Sequence, residues 1–284
     1  MRKPSPAWFD AQYNNRSRIP EHPAILARWA DASARARARH AEMAEVAYGR
    51  GPRERVDVFP AKAPGSPVLV YLHGGYWRAL DKRDQSFVAP PFVDAGAMVV
   101  LPGYALCPAV TIEHIVLQTV QALAWVHRHA REYGGDPSRI VVAGHSAGGH
   151  LATMLLACRW CAVAPDLPAD LVKAALSISG LYDLEPLRHA PFLASDLALT
   201  PATARRLSPA LMPAPNGALV TIVGANESAE FLRQATLIAR AWGPRVVIAS
   251  ESVPMRHHMD VLDDIADPPS RTHRLGLQLL GLRA

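Results

Sequence analysis

At 284 residues and 30.8 kDa, half of them apolar and with a mean hydropathy of +0.04, the chain carries enough apolar surface for one substantial core. Its net charge of +5 and pI near 9.3 rest on scattered arginines, and the densest run, Arg35, Arg37 and Arg39, spreads charge around a solvated helix. That pattern argues against a nucleic-acid partner, and the lack of any run of about 18 apolar residues argues against a membrane one.

Met1 to Asp10 has no apolar run, so no signal peptide is expected. Residues up to about Gly49 read as helical and without a strand; Pro20-Glu21-His22-Pro23 breaks them, and Ala24 to Ala47 is rich in Ala and Arg around Ile25, Leu26 and Trp29. Glu54 to Phe59 alternates as a strand does. Val68 to Leu72 is a continuous apolar run, the pattern of a strand buried on both faces, and it ends at His73-Gly74-Gly75-Tyr76-Trp77. Ala97 to Leu101 is a second such strand. A long amphipathic helix spans about Thr111 to Tyr133 and stops at Gly134-Gly135-Asp136-Pro137. Ile140 to Ala143 is a β-branched run leading into Gly144-His145-Ser146-Ala147-Gly148 and a helix-forming segment, Leu151 to Leu156. The C-x-x-C at Cys158 and Cys161 follows that helix. With Cys107 as the third cysteine there is no disulfide framework and no second pair for zinc, so a reducing, cytoplasmic setting is expected.

Val172 to Ser179 is a further strand, ending at Gly180-Leu181-Tyr182-Asp183. Leu184 to Pro215 is helical and Pro-rich. Ala218 to Val223 and Val246 to Ala249 are strands flanking a helix over Glu230 to Trp242, and a helix from Ile265 closes the chain. Strands alternating with helices predict an α/β fold with a mostly parallel sheet covered on both faces. We expect one domain over residues 1–284, with 1–50 as a helical extension and 184–215 as a helical excursion, both suited to capping a site.

Ligands of such sheets bind beyond the carboxyl ends of the strands, where all these motifs fall. A serine between two glycines at a strand-to-helix turn is a nucleophile elbow: Ser146 is pushed above the sheet, and the Ala147 N–H at the helix start is free to hold an oxyanion. Gly74 and Gly75 let backbone N–H groups approach the same oxyanion. Acyl transfer by serine also needs a base and an acid that orients it, in the order Ser, acid, His. Glu227 follows one later strand and His257-His258 follows the last. Each has a plainer reading: Glu227 as a helix cap, the two histidines as loop residues, Gly74-Gly75 as a turn. Asp183 also follows a strand, where it is placed to cap the helix near Leu184. His127 and His129 point apart on one helix, and no metal site or cofactor is expected. Tyr76 and Trp77 beside the glycines, and Leu181 and Tyr182 at a strand end, are expected to wall a short acyl slot.

The segments H-G-G-Y-W, G-H-S-A-G-G-H-L, S-G-L-Y-D-L and N-E-S-A-E-F-L-R-Q resemble those of kynurenine formamidase-like (arylformamidase-like) esterases, relatives of the hormone-sensitive-lipase group of α/β hydrolases. Tyr13-Asn14-Asn15-Arg16 is also similar to the start of bacterial members. The resemblance implies an α/β-hydrolase fold, with Ser146 as nucleophile, Glu227 as acid, His258 as base, and Gly74, Gly75 and Ala147 as the oxyanion hole. Many members carry Asp as the acid and Asn-His-Phe around the base, where this chain has Glu227 and His257-His258-Met259, which makes Met259 a pocket-wall residue. The implied activity is cofactor-free hydrolysis of small carboxylic esters or, as the alternative, of N-formylkynurenine; a non-catalytic binding protein of the same fold is the remaining class. A small-molecule ester or formamide is the expected partner, and a homodimer is left open.

Overall fold

The computed structural model describes residues 4–283. Ten helices and eight strands run in the order α1 (Pro6–Tyr13), α2 (Asn15–Arg18), α3 (His22–Arg39), β1 (Ala44–Ala47), β2 (Arg55–Phe59), β3 (Ser66–Leu72), α4 (Ala89–Asp94), β4 (Met98–Pro102), α5 (Ile112–His129), β5 (Gly135–His145), α6 (Ala147–Leu156), β6 (Val172–Ile178), α7 (Pro191–Leu197), α8 (Pro201–Arg206), β7 (Ala218–Gly224), α9 (Ala229–Trp242), β8 (Val247–Val253) and α10 (Arg271–Leu280) among the described residues. Short 3₁₀ turns lie between several of them. The strands form one sheet in the order β1-β2-β4-β3-β5-β6-β7-β8. Its first two pairings are antiparallel and all the others parallel.

The continuous apolar strands are buried on both faces because side chains alternate across the pleat. Val68, Val70 and Leu72 of β3 pack into one core with α5, α6 and α9, whereas Leu69 and Tyr71 pack into the other with Trp29, Phe92 and Leu275. Met98 and Val100 of β4 likewise face the first core, and Val99 and Leu101 the second.

Three expectations are corrected. The N-terminal region is not strand-free: α3 stops at Arg39, and Ala44–Ala47 pairs with β2 as a half-exposed edge strand. Glu45 on that strand accepts from Lys82 Nζ at 2.7 Å, and Lys82 also bonds the buried Asp57 at 2.6 Å. Arg37 completes this network by pairing with Asp57, so one of the three α3 arginines is structural rather than solvated. The last helix begins at Arg271 rather than Ile265, because Pro268-Pro269 interrupts the path and a 3₁₀ turn fills Asp260–Ala266.

Candidate active site

The parallel strands end at one edge, and the loops that leave β3, β5, β7 and β8 there carry the residues singled out in the sequence. After β5 comes Ser146, held at φ 57° and ψ −117°, a left-handed conformation rare for a non-glycine residue. The tight turn requires its flanking glycines: a Cβ on Gly144 would collide with the Gly148 carbonyl, and one on Gly148 with the Leu72 carbonyl of β3. The Ser146 N–H is tied to the Ile178 carbonyl of β6 at 2.8 Å. Such strain persists only where its surroundings over-determine it.

The loop after β8 brings His258 over this serine, with Nε2 at 3.0 Å from Ser146 Oγ. Its Nδ1 stands 2.7 Å from Glu227 Oε2, on the loop after β7. Ser146, Glu227 and His258 are 3, 7 and 4% exposed, so the chain of hydrogen bonds runs largely out of water. Glu227 Oε1 is occupied as well: it accepts from the Gly224 N–H at 2.8 Å and from the Ser179 hydroxyl at the end of β6. A carboxylate with both oxygens bonded cannot swing away from the ring. The capping role considered for Glu227 is filled by Ser228, whose side chain accepts from the Phe231 N–H. Asp183 does not reach His258; its Oδ1 caps Glu185 N at 3.1 Å, and Arg233 stands 3.6 Å from Oδ2. His257 turns to Asp260 and Glu21 instead.

Two residues that the motif reading passed over support this geometry. Ser179 is one, with φ 49° at its strand end. His145 is the other: its Nε2–H donates to the His258 carbonyl at 2.7 Å, and the two rings lie 4.8 Å apart. Burial first, and the nearby His258 second, hold the His145 pKa well below the ordinary histidine value, so its ring stays neutral beside the site. Neither role leaves a local sequence signature beyond proximity to a strand end.

Facing the serine, the loop after β3 runs through His73-Gly74-Gly75. Gly75 has φ 107°, and a Cβ there would strike the Ala79 carbonyl. Gly74 is packed so close that a Cβ on it would stand 3.4 Å from Ser146 Cβ. Among the described residues, none accepts a hydrogen bond from the Gly74, Gly75 or Ala147 backbone N–H. His73 stiffens this loop: its Nδ1–H donates to the Gly74 carbonyl at 2.8 Å and its ring stacks on Tyr104 at 4.2 Å. Burial lowers its pKa to about 4.

A cavity of about 270 Å³ opens on Ser146 and His258. Of the five residues expected to wall it, Tyr76 and Met259 line the cavity and Trp77, Leu181 and Tyr182 do not. Trp77 is wholly buried and meets His150 edge-on at 5.0 Å, beneath the loop rather than in its mouth. Leu181 and Tyr182 are buried in the same core, where the Tyr182 hydroxyl donates to Ser177 Oγ at 2.8 Å. The missing walls come from elsewhere: Asn14, Asn15 and Arg16 around α2, Leu26 and Trp29 on α3, and Phe192 and Asp196 on α7. Arg78 joins the glycine loop to α7 through its ion pair with Asp196. Among the described residues no group of three or more His, Cys, Asp and Glu side chains is arranged to hold a metal ion, and no helix is long and apolar enough to cross a membrane.

Known proteins agree with this architecture. Residues 69–257 match the family described as alpha/beta hydrolase fold. The kynurenine formamidase of Salmo salar is 31% identical, over 87% of this chain and 85% of that protein. The enzyme of the same name from Danio rerio is 29% identical over the same shares. A crystal structure of a Silicibacter protein superposes with a TM-score of 0.81 at 30% identity, covering 91% of this chain and 95% of that one. An esterase from Pyrobaculum calidifontis shares the fold at 20% identity and a TM-score of 0.69, over 91% and 93% of the two chains. The chain therefore belongs to the α/β hydrolase fold family and, within it, to the kynurenine formamidase-like group of esterases. It is a hydrolase.

Proposed function

We propose that the protein is a serine hydrolase that cleaves short-acyl esters of aromatic alcohols through an acyl-enzyme, with Ser146 as nucleophile, His258 as general base and Glu227 as the orienting acid. The observation that carries this reading is the continuous hydrogen-bonded chain from Ser146 Oγ through both nitrogens of His258 to Glu227. Glu227 holds the proton on Nδ1, leaving Nε2 as the acceptor that faces the hydroxyl. Ser146 Oγ then adds to the substrate carbonyl as its proton passes to Nε2. The carbonyl π electrons move onto oxygen, where the Gly74, Gly75 and Ala147 N–H groups stabilise the negative charge. When the tetrahedral adduct collapses, the imidazolium returns the proton to the leaving oxygen, and water repeats the sequence to free the acid.

The same steps cleave a formamide C–N bond, with the proton delivered to nitrogen. The likeness to kynurenine formamidases over most of both chains favours an aryl formamide, with N-formylkynurenine as test substrate, as the second reading. In either case α1 to α3 and α7 act as a cap, because they supply most of the cavity wall that the sheet loops do not. The free cysteines suit a cytoplasmic setting. Covalent labelling by a fluorophosphonate probe, lost in Ser146→Ala together with turnover of aryl acetates and N-formylkynurenine, tests the assignment. Removing the hydroxyl should lower kcat by about 10⁴–10⁶; unchanged hydrolysis by Ser146→Ala would overturn it.

A further inference from the structure

His145 has one ring nitrogen committed and one free. Its Nε2 stands 2.7 Å from the His258 carbonyl, which can only accept, so the proton sits on Nε2. Burial holds the ring neutral, which leaves Nδ1 with a bare lone pair. Among the described residues no group donates to that nitrogen. The unpartnered His73 Nε2 and His150 Nδ1 are sealed in the interior, but His145 Nδ1 is not, and its residue lines the cavity that holds Ser146. At 3% exposed, His145 is as open as Ser146 itself.

That nitrogen lies beside the reacting atoms. A Cβ on Gly74 would stand 3.2 Å from His145 Nδ1 and 3.4 Å from Ser146 Cβ, so the nitrogen and the serine flank one point of the glycine loop. The His145 ring also lies 4.8 Å from the His258 ring, and its Nε2 bond holds it there. Its other neighbours are apolar: Trp29 presents its ring edge-on at 6.3 Å, and Leu26 and Met259 line the same cavity. A neutral acceptor between the nucleophile and its base calls for a small molecule with a hydrogen to donate. The reaction brings one such molecule to this spot in every turnover, the water that hydrolyses the acyl-enzyme.

We propose that His145 positions the hydrolytic water, its Nδ1 accepting a hydrogen bond from the O–H that the water keeps. The water oxygen adds to the acyl carbonyl carbon while one of its O–H bonds breaks and that proton passes to His258 Nε2. The carbonyl π electrons move onto oxygen, and the second O–H stays intact against His145 Nδ1. Collapse of the adduct expels Ser146 Oγ, which takes the proton back from His258, and the acid leaves. His145 gains and loses no proton; it fixes the direction of attack. Forming the acyl-enzyme from an aryl ester has no such need, because the serine and the leaving alcohol each have a single O–H, shared with His258. The inference rests on the serine hydrolase reading above and gives His145 a task in its second half-reaction alone.

The test is the fate of the acetyl-enzyme formed from nitrophenyl acetate in water containing methanol. Methanol competes with water for the acyl group, but its one O–H goes to His258 and it has none left for His145. The ratio of methyl acetate to acetate is decided within the acyl-enzyme. It is therefore blind to the folded fraction, and to any misalignment of His258, which slows both nucleophiles alike. His145→Phe keeps a planar ring and removes both nitrogens. At fixed methanol its ratio should rise about tenfold over wild type, and its first-turnover release of nitrophenolate should slow less than its steady state. A ratio that falls, or that stays within about twofold of wild type while both rates drop, leaves His145 with loop support alone and overturns the proposal. Should His145→Phe not fold, His145→Leu is read by the same ratio. A wild type that makes neither product and takes no fluorophosphonate label would instead remove the hydrolase reading itself.

Discussion

Glu227→Gln separates an orienting carboxylate from a merely structural one. The native carboxylate accepts three hydrogen bonds, from His258 Nδ1–H, the Ser179 hydroxyl and the Gly224 N–H. A glutamine in the same place has one acceptor oxygen and one donor nitrogen. The Gly224 N–H is fixed by the backbone and demands the oxygen; the Ser179 hydroxyl can rotate to share it. The amide nitrogen is then left facing His258 Nδ1, and two donors cannot bond each other. The ring responds by moving its proton to Nε2, the atom 3.0 Å from Ser146 Oγ, which ends its capacity to accept the serine proton. In the template triad this tautomer error costs about 10⁴ in kcat, equivalent to about 5.5 kcal/mol of barrier. The expected result is a folded protein with kcat on aryl acetates about 10⁴ below wild type. Asp183→Asn should keep its activity and lose about 1 kcal/mol of stability, because Asp183 caps Glu185 N. An active Glu227→Gln beside a folded, inactive Asp183→Asn would refute the argument.

Three other outcomes follow from the geometry. Ser179→Ala removes one of the carboxylate's three bonds, so kcat should drop about fivefold with little change in KM, read on the same aryl acetates; an unaltered kcat would show that Gly224 alone holds Glu227. A cavity of about 270 Å³ walled by Tyr76, Trp29, Phe192 and Met259 should favour acetyl to butyryl over octanoyl nitrophenyl esters by at least about tenfold, and hydrolysis of long-chain triglyceride above that of aryl acetates would contradict it. Burial lowers the pKa of His73 and of His150 to about 4. Below the ordinary histidine value of about 6.5 the unfolded rings bind protons that the folded rings refuse, so stability falls as pH drops from about 6.5 towards 4. Each ring should cost about 2 kcal/mol between pH 7 and pH 5, and urea unfolding of His150→Gln should show that dependence reduced by about one such share.

The layers of the fold were largely readable from local pattern. Runs such as Val68 to Leu72 can satisfy both cores only in the middle of a sheet, and the motifs at their ends then share one edge. What escaped was structure whose cause is not local. The edge strand Ala44–Ala47 has no apolar run of its own and exists because β2 offers it a ladder. The start of α10 is set by Pro268-Pro269, which the apolar periodicity from Ile265 obscures.

The same division runs through the site. Ser146, Glu227 and His258 each follow a strand, so topology alone converges them, and hydrogen bonds of 3.0 and 2.7 Å join the three. The pocket walls obey a different logic. Tyr76 and Trp77 are adjacent, both with positive φ, yet one faces the cavity and the other the core; composition beside a glycine loop cannot tell which. Leu181 and Tyr182 are drawn inward because Ser177 offers the tyrosine hydroxyl a buried partner. Their place in the wall is taken by Asn15, Trp29 and Phe192, brought in by tertiary contacts such as Tyr13 to Glu230 across 217 positions and Trp29 Nε1–H to Asp263 at 2.7 Å. On the proposed mechanism the reaction chemistry belongs to the sheet edge, while α1 to α3 and α7 contribute only cavity wall, so substitutions in α1 to α3 should alter selectivity while leaving fluorophosphonate labelling of Ser146 intact.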